Sequence, residues 1–239
     1  MNALILGSKS DIATAIKPML EADGYTVAGW SRGRWPSHPE RWDLLVITIG
    51  MVKPVGLWHD VSQEMWAECL YSNLTLPFQL LRRVWGYHNP NATVIWFAGS
   101  NPQKIMDGYS AYNTAKMAVL KLVEQLDHET PDCRLIAFGP GYAKTKIHQA
   151  TLDAKWPNER IERGDEGTSM EDIYKAMKWC ISQPKDIVGG RNICVSDPWE
   201  TDPVGFPFAL EQDESFCKLR RKQSVDVKLG LSTLVKGSI

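Results

Sequence analysis

At 239 residues, 44% of them apolar, the chain is long enough for one large domain with a well-filled core. With 27 Lys and Arg set against 28 Asp and Glu, its formal net charge of −1 gives no electrostatic reason to expect nucleic acid or a membrane surface as partner. No apolar run approaches the roughly 18 residues of a membrane span, and the N-terminus runs into Ala3-Leu4-Ile5-Leu6 without a basic leader, so the expectation is a cytoplasmic protein.

In chain order, Ala3–Leu6 reads as a short apolar strand, and Gly7-Ser8-Lys9-Ser10-Asp11-Ile12-Ala13 as a turn into a helix over about 11–22. Thr26–Trp30 is a second strand. Leu44–Ile49 follows after a short basic stretch, then an amphipathic helix over 62–86. Thr93–Ala98, a helix over 109–128, Arg134–Phe138, a helix over 169–182 and Asn192–Val195 complete the pattern. Thr168-Ser169-Met170-Glu171 supplies a capping box for the last of these helices. Strands that are apolar throughout and alternate with helices predict a parallel sheet covered on both faces, a doubly wound α/β fold of Rossmann type. After Asp197-Pro198-Trp199 the composition turns polar and irregular, and residues 200–239 read as a C-terminal extension. The five cysteines, at 69, 133, 180, 194 and 217, contain no CxxC pair, which points to buried free thiols and not to a metal site.

Two features carry chemistry. The strand-to-helix turn at Gly7 places backbone N–H groups and the positive end of a helix dipole where a pyrophosphate can sit, with Gly7 allowing the tight turn. It has only one of the three glycines of a dinucleotide fingerprint. Tyr112 and Lys116 stand four residues apart at the start of a helix and so share a face. A nearby ammonium can lower a phenol's pKa from about 10 by about 1–3, into the range of a working acid or base. Any long helix can hold such a pair by accident, so its company matters.

That company resembles the short-chain dehydrogenase/reductase family over residues 1–199. In the family's TGxxxGIG turn, Gly7 and Ile12 fit while Leu6, Asp11 and Ala13 replace its Thr and its last two glycines. Of its NNAG, only Gly50 survives in Ile47-Thr48-Ile49-Gly50. Trp66 to Thr75 is similar to the helix that carries the family's active-site Asn, here Asn73. Ala98-Gly99-Ser100 corresponds to the strand end that delivers the catalytic Ser, Tyr112-x-x-x-Lys116 to YxxxK, and Pro140-Gly141-Tyr142-Ala143-Lys144-Thr145 to PGxxxT.

The resemblance implies an NAD(P)(H)-dependent oxidoreductase that interconverts a carbonyl and an alcohol by hydride transfer. Tyr112 is then general acid or base, Lys116 tunes the phenol and binds the nicotinamide ribose, and Ser100 donates to the substrate oxygen. Asn73 holds a water linking Lys116 to solvent, while Pro140, Gly141 and Thr145 cradle the nicotinamide. Gly7, Ser10, Asp11, Ile12 and Gly50 line the dinucleotide. Ser100 lies twelve residues before Tyr112 where the family more often has thirteen, and Ser110 is the fallback.

The stretch from Ser31 to Asp43 is too short for the family's third strand and its helix, so a six-stranded sheet ordered 2-1-4-5-6-7 in the family's numbering is expected. Ser31 and Arg32 follow the second strand where an NAD-selective site would carry a carboxylate. This favours NADP(H), with NAD(H) as the alternative; Arg32, Arg34 and Arg41 can equally be read as solvated loop charges. Residues 146–167, with His148, Trp156 and Arg160, match the variable segment over the substrate and indicate no substrate class. The basic Lys218, Arg220, Arg221 and Lys222 read as a solvated or subunit-contacting arm. By resemblance the expected partners are a small-molecule substrate and further copies of the chain, as a dimer or tetramer. Two other functions stay open: an epimerase or dehydratase with no net redox, and a cofactor sensor without turnover.

Overall fold

A computed structural model describes residues 1–33, 39–100 and 102–220, the side chains of residues 159 and 160 excepted. Arg34, the side chain of Arg160, Arg221 and Lys222 lie outside the described residues. The strands are β1 (Asn2–Leu6), β2 (Thr26–Trp30), β3 (Trp42–Ile47), β4 (His88–Phe97), β5 (Cys133–Gly139) and β6 (Asn192–Cys194). Around them stand α1 (Asp11–Ala22), α2 (Gln63–Leu70), α3 (Leu76–Val84), α4 (Ser110–Glu129), α5 (Gln149–Asp153), α6 (Glu159–Glu162), α7 (Met170–Ser182), α8 (Lys185–Val188) and α9 (Gly205–Gln212). The sheet is parallel, in the order β2-β1-β3-β4-β5-β6. This is the expected six-stranded topology. Among the described residues the chain passes from Trp30 to Trp42 without another strand, and β2 is left at the edge.

Alternate strand side chains feed two cores. Ile5, Val46, Ile95, Ile136 and Phe138 pack with Ile16 and Leu20 of α1 and with Ile173 and Met177 of α7 on one face. Leu6, Leu45, Trp96 and Leu135 pack with Leu81 of α3 and Val119 and Val123 of α4 on the other. The switch from β1 to β3 beside β1 opens a crevice at the carboxyl ends of the strands, where such sheets bind ligands.

Two expectations needed correction. The helix expected over 62–86 is interrupted by a π turn, Tyr71–Thr75, between α2 and α3. Pro77 brings no N–H to the carbonyl of Asn73, so the α-helical ladder cannot run through, and the Asn73 side chain itself donates to the Cys69 carbonyl at 2.9 Å. The chain after residue 199 is not irregular throughout. It forms α9, whose Phe206 and Leu210 are buried in the first core. The Cys217 carbonyl then accepts from Asn192 N–H at the edge of β6.

Candidate active site

The cofactor-side turn is built by Gly7, which takes φ +94° and sits where a Cβ would come within 2.7 Å of Thr48 Oγ1. Its N–H and that of Ser8 donate to the Trp30 carbonyl, pinning the turn to β2. Ser10 caps α1: its hydroxyl accepts from Ala13 N–H and donates to Thr48 Oγ1 at 3.0 Å. Directly above, Ser10, Asp11 and Ile12 form one wall of a cleft of about 170 Å³. Gly50, Tyr112, Lys116, Pro140, Gly141 and Thr145 complete its lining, together with Thr48, Gly99, Ile147 and His148, which the motif comparison did not single out as cleft residues. Residues from five separate stretches of chain thus converge at the strand ends.

Tyr112 and Lys116 share this cleft, with the ammonium 5.6 Å from the centre of the phenol ring. Lys116 is 4% exposed and donates to the Phe97 carbonyl at 2.9 Å. Their electrostatics run against the sequence-based expectation. Burial pushes the Tyr112 phenol up to about 12 and pulls the Lys116 amine down to about 8. In the cofactor-free protein, desolvation sets the direction for both groups.

Asn73 is fully buried behind Gly50 and does not line the cleft. Its amide donates to the Met51 and Cys69 carbonyls, and its Oδ1 accepts from Met51 N–H at 3.3 Å. A Cβ at Gly50 would stand 2.8 Å from that oxygen and 3.4 Å from Lys116 Nζ, so only glycine lets Asn73 approach the lysine.

Ser100 does not line this cleft. Its hydroxyl accepts from Gly141 N–H at 2.6 Å, and the residue lines a separate cavity of about 310 Å³ bounded by Asn192, Cys194 and Cys217. Twelve residues of spacing leave Gly99, φ +141°, in the cleft and turn Ser100 past it. Ser110 is no substitute, since its hydroxyl accepts from Trp66 Nε1 at 3.2 Å. Ser31 and Arg32 follow the end of β2 and lie outside the cleft lining; Ser31 is buried and Arg32 exposed.

One contact had no counterpart in the sequence reading. Asp11, in a position where the related turn has glycine, accepts from Lys146 N–H at 2.6 Å and pairs with its ammonium at 2.9 Å. These bonds hold the carboxyl below its ordinary range and tie the segment after Thr145 to the α1 N-terminus. On the far wall, burial lowers the pKa of His148, and a bond to the Ala143 carbonyl opposes the shift.

A family model described as Enoyl-(Acyl carrier protein) reductase matches residues 33–197, well over half of the chain. Acetoacetyl-CoA reductase from Rhizobium meliloti (strain 1021) is 28% identical over 123 residues, so the match spans 50% of either protein. Among solved structures, a short chain dehydrogenase/reductase from Saccharomyces cerevisiae superposes with a TM-score of 0.71 at 16% identity, over 82% of this chain and 96% of its own. A small-chain dehydrogenase in complex with NADPH gives 0.70 at 17% identity, over 81% and 95%. With its parallel six-stranded sheet and its Tyr112 and Lys116 facing one cleft, the chain belongs to the short-chain dehydrogenase/reductase family.

Proposed function

We propose that the protein is a nicotinamide-dependent oxidoreductase that interconverts a carbonyl and an alcohol. The observation that carries this reading is the convergence of a phenol, an amine and a helix N-terminus on one cleft. The donors there suit a nicotinamide dinucleotide: the α1 N-terminus for its pyrophosphate, Lys116 for its ribose hydroxyls, and Thr145 with the Pro140-Gly141 backbone for its nicotinamide end. When bound, such a cofactor supplies or accepts the hydride.

The remaining work falls to the protein. Tyr112 gives its phenolic proton to the substrate oxygen in reduction and takes it back in oxidation. Burial keeps the phenol protonated at neutral pH, the state needed for reduction. Lys116, drawn toward a developing phenolate, stabilises it by its charge. Asn73 holds the Met51 backbone and the floor beneath Lys116. Ser100 acts through Gly141, whose N–H it accepts. NADP(H) is preferred over NAD(H) because Ser31 and Arg32 stand at the end of β2 without a carboxylate between them.

A cofactor sensor is the second reading, and the placement of the Ser100 hydroxyl outside the cleft is what favours it. Following NADPH absorbance across a panel of ketones and aldehydes separates the two. The oxidoreductase reading expects consumption that Tyr112→Phe lowers by about 10²-fold or more. Cofactor binding without consumption by either protein would support the sensor.

A further inference from the structure

Between α4, β6 and the segment after α9 lies the cavity of about 310 Å³ that has Ser100 on its wall. No step of the proposed reaction uses it. Three charged side chains line it: Glu124, Asp197 and Lys218. Glu124 is already satisfied, bonded to Arg220 at 2.6 Å and to Lys121 at 3.1 Å. The other two are not. Among the described residues, no cation pairs with Asp197 and no carboxylate pairs with Lys218. Lys104, next to the lining residue Gln103, is exposed and is not part of the wall.

The two unpaired charges are of opposite sign and are held apart. Asp197 Oδ2 accepts from Cys194 N–H at 2.7 Å, which leaves Oδ1 without a partner, and the thiols of Cys180, Cys194 and Cys217 stand near the carboxylate. Lys218 follows Cys217, whose carbonyl accepts from Asn192 N–H. Glu124 and Glu214 act on its ammonium from beyond ion-pair distance, and Arg191 and Arg220 oppose them. Both groups are half-buried, and burial raises the Asp197 carboxyl and lowers the Lys218 amine, the directions expected of charges short of a counter-ion. Cys194 and Asn192, the strand residues beside which the two are anchored, stand roughly 7 Å apart, and the lysine side chain adds to the separation. Along the wall Leu120, Phe216 and Leu219 supply hydrocarbon, while Asn192 and Ser100 supply an amide and a hydroxyl.

We propose that this cavity is a second ligand site, separate from the cleft, for a small zwitterion whose ammonium meets Asp197 and whose carboxylate meets Lys218, with a short spacer against Leu120, Phe216 and Leu219. An ω-amino acid and a short peptide share this chemistry. A molecule with a single charge satisfies one pole and leaves the other short of a partner. The site stands apart from the oxidoreductase reading, because neither pole lines the cleft.

Isothermal titration of the full chain with 6-aminohexanoate and triglycine, set against hexanoate and hexylamine, tests the proposal. The zwitterions are expected to bind with a Kd of about 1 mM or lower, and the singly charged analogues about ten-fold or more weakly than that. Asp197→Asn keeps an acceptor for Cys194 N–H and should erase the advantage of 6-aminohexanoate over hexanoate. Lys218→Met should erase its advantage over hexylamine, and each variant should weaken 6-aminohexanoate about ten-fold. Thermal unfolding shows that each variant is folded, and either one alone carries the test. Tighter binding of triglycine would identify a peptide as the ligand and tighter binding of 6-aminohexanoate a free ω-amino acid; both support the site. Three results would overturn it: no binding of either zwitterion at about 20 mM, hexanoate or hexylamine bound as tightly as the zwitterions, or affinity unchanged in the folded variants.

Discussion

Tyr112 and Lys116 show what spacing can and cannot say about a residue. Four positions on a helix place both on one cleft, and that was readable. The direction of their pKa changes was not, because it is set by burial beneath segments far away in sequence. Lys116 has a folded pKa near 8 against its ordinary 10.5, so the folded chain binds fewer protons than the unfolded chain between those values. The contribution of Lys116 to the stability of the cofactor-free protein should therefore rise with pH from about 8 to about 10.5, against the buried thiols, whose raised pKa values lower stability above about 9, while below about 8 the buried ammonium weighs against folding. Lys116→Met is expected to raise the melting temperature at pH 7 by a few degrees, or about 1–2 kcal/mol after loss of the bond to Phe97, and to remove this one contribution to the pH dependence. Calorimetry of both proteins between pH 7 and 10 checks it; a melting temperature lowered by the substitution would contradict it. Asp11 was legible only as a missing glycine, since its partner Lys146 is 135 positions away. Its carboxylate stands beside the place proposed for a pyrophosphate, so Asp11→Asn is expected to tighten NADPH binding about three- to ten-fold, more at low salt than at high. Fluorescence titration reads the change, and weaker binding would mean that the tie to Lys146 organises the site.

At the scale of elements, α1 and β2 match their sequence-based bounds because caps and turn residues mark their ends: Ser10 before Asp11, Gly24 before Thr26. The long helix over 62–86 was read from apolar periodicity alone, which passes over a one-residue widening without a trace. Pro77 was the available signal. The π turn delivers the Asn73 amide to the carbonyls of Met51 and Cys69, and so fixes the loop that follows Gly50. Asn73→Leu should leave those carbonyls unpaired and destabilise the protein by about 2–3 kcal/mol in denaturant titration. Gly50→Ala, which drives a methyl group toward Asn73 Oδ1, should cost stability by displacing the same amide. Ser100 was likewise placed by motif order alone, which carries no word of its partner: its hydroxyl accepts from Gly141 N–H, 41 positions away.

Over the whole molecule, the order of the sheet followed from alternating apolar strands and helices and from the short stretch after Trp30. The role of the chain beyond residue 199 did not, because its attachment is made with interior partners of different kinds, the first core, the edge of β6 and one buried arginine. Arg191, 2% exposed, donates to the carbonyls of Leu210, Asp213 and Phe216, closing the end of α9 onto β6. Replacing it with Met removes three charge-assisted bonds, although it also removes a buried charge, and the net loss is expected at about 2–4 kcal/mol. Urea unfolding measures it; a variant as stable as the parent would show that α9 is held by Phe206 and Leu210 alone. The proposed function makes one claim, that Tyr112 protonates a carbonyl oxygen as hydride from the cofactor reaches its carbon. Its most direct measurement follows deuterium from 4-deuterated NADPH into the carbinol carbon of a product alcohol, for the parent and for Tyr112→Phe. The account predicts one deuterium per product molecule from the parent, a rate lowered about 10²-fold or more in the variant, and equal NADPH affinity in both. Transfer at the same rate from both proteins would contradict it.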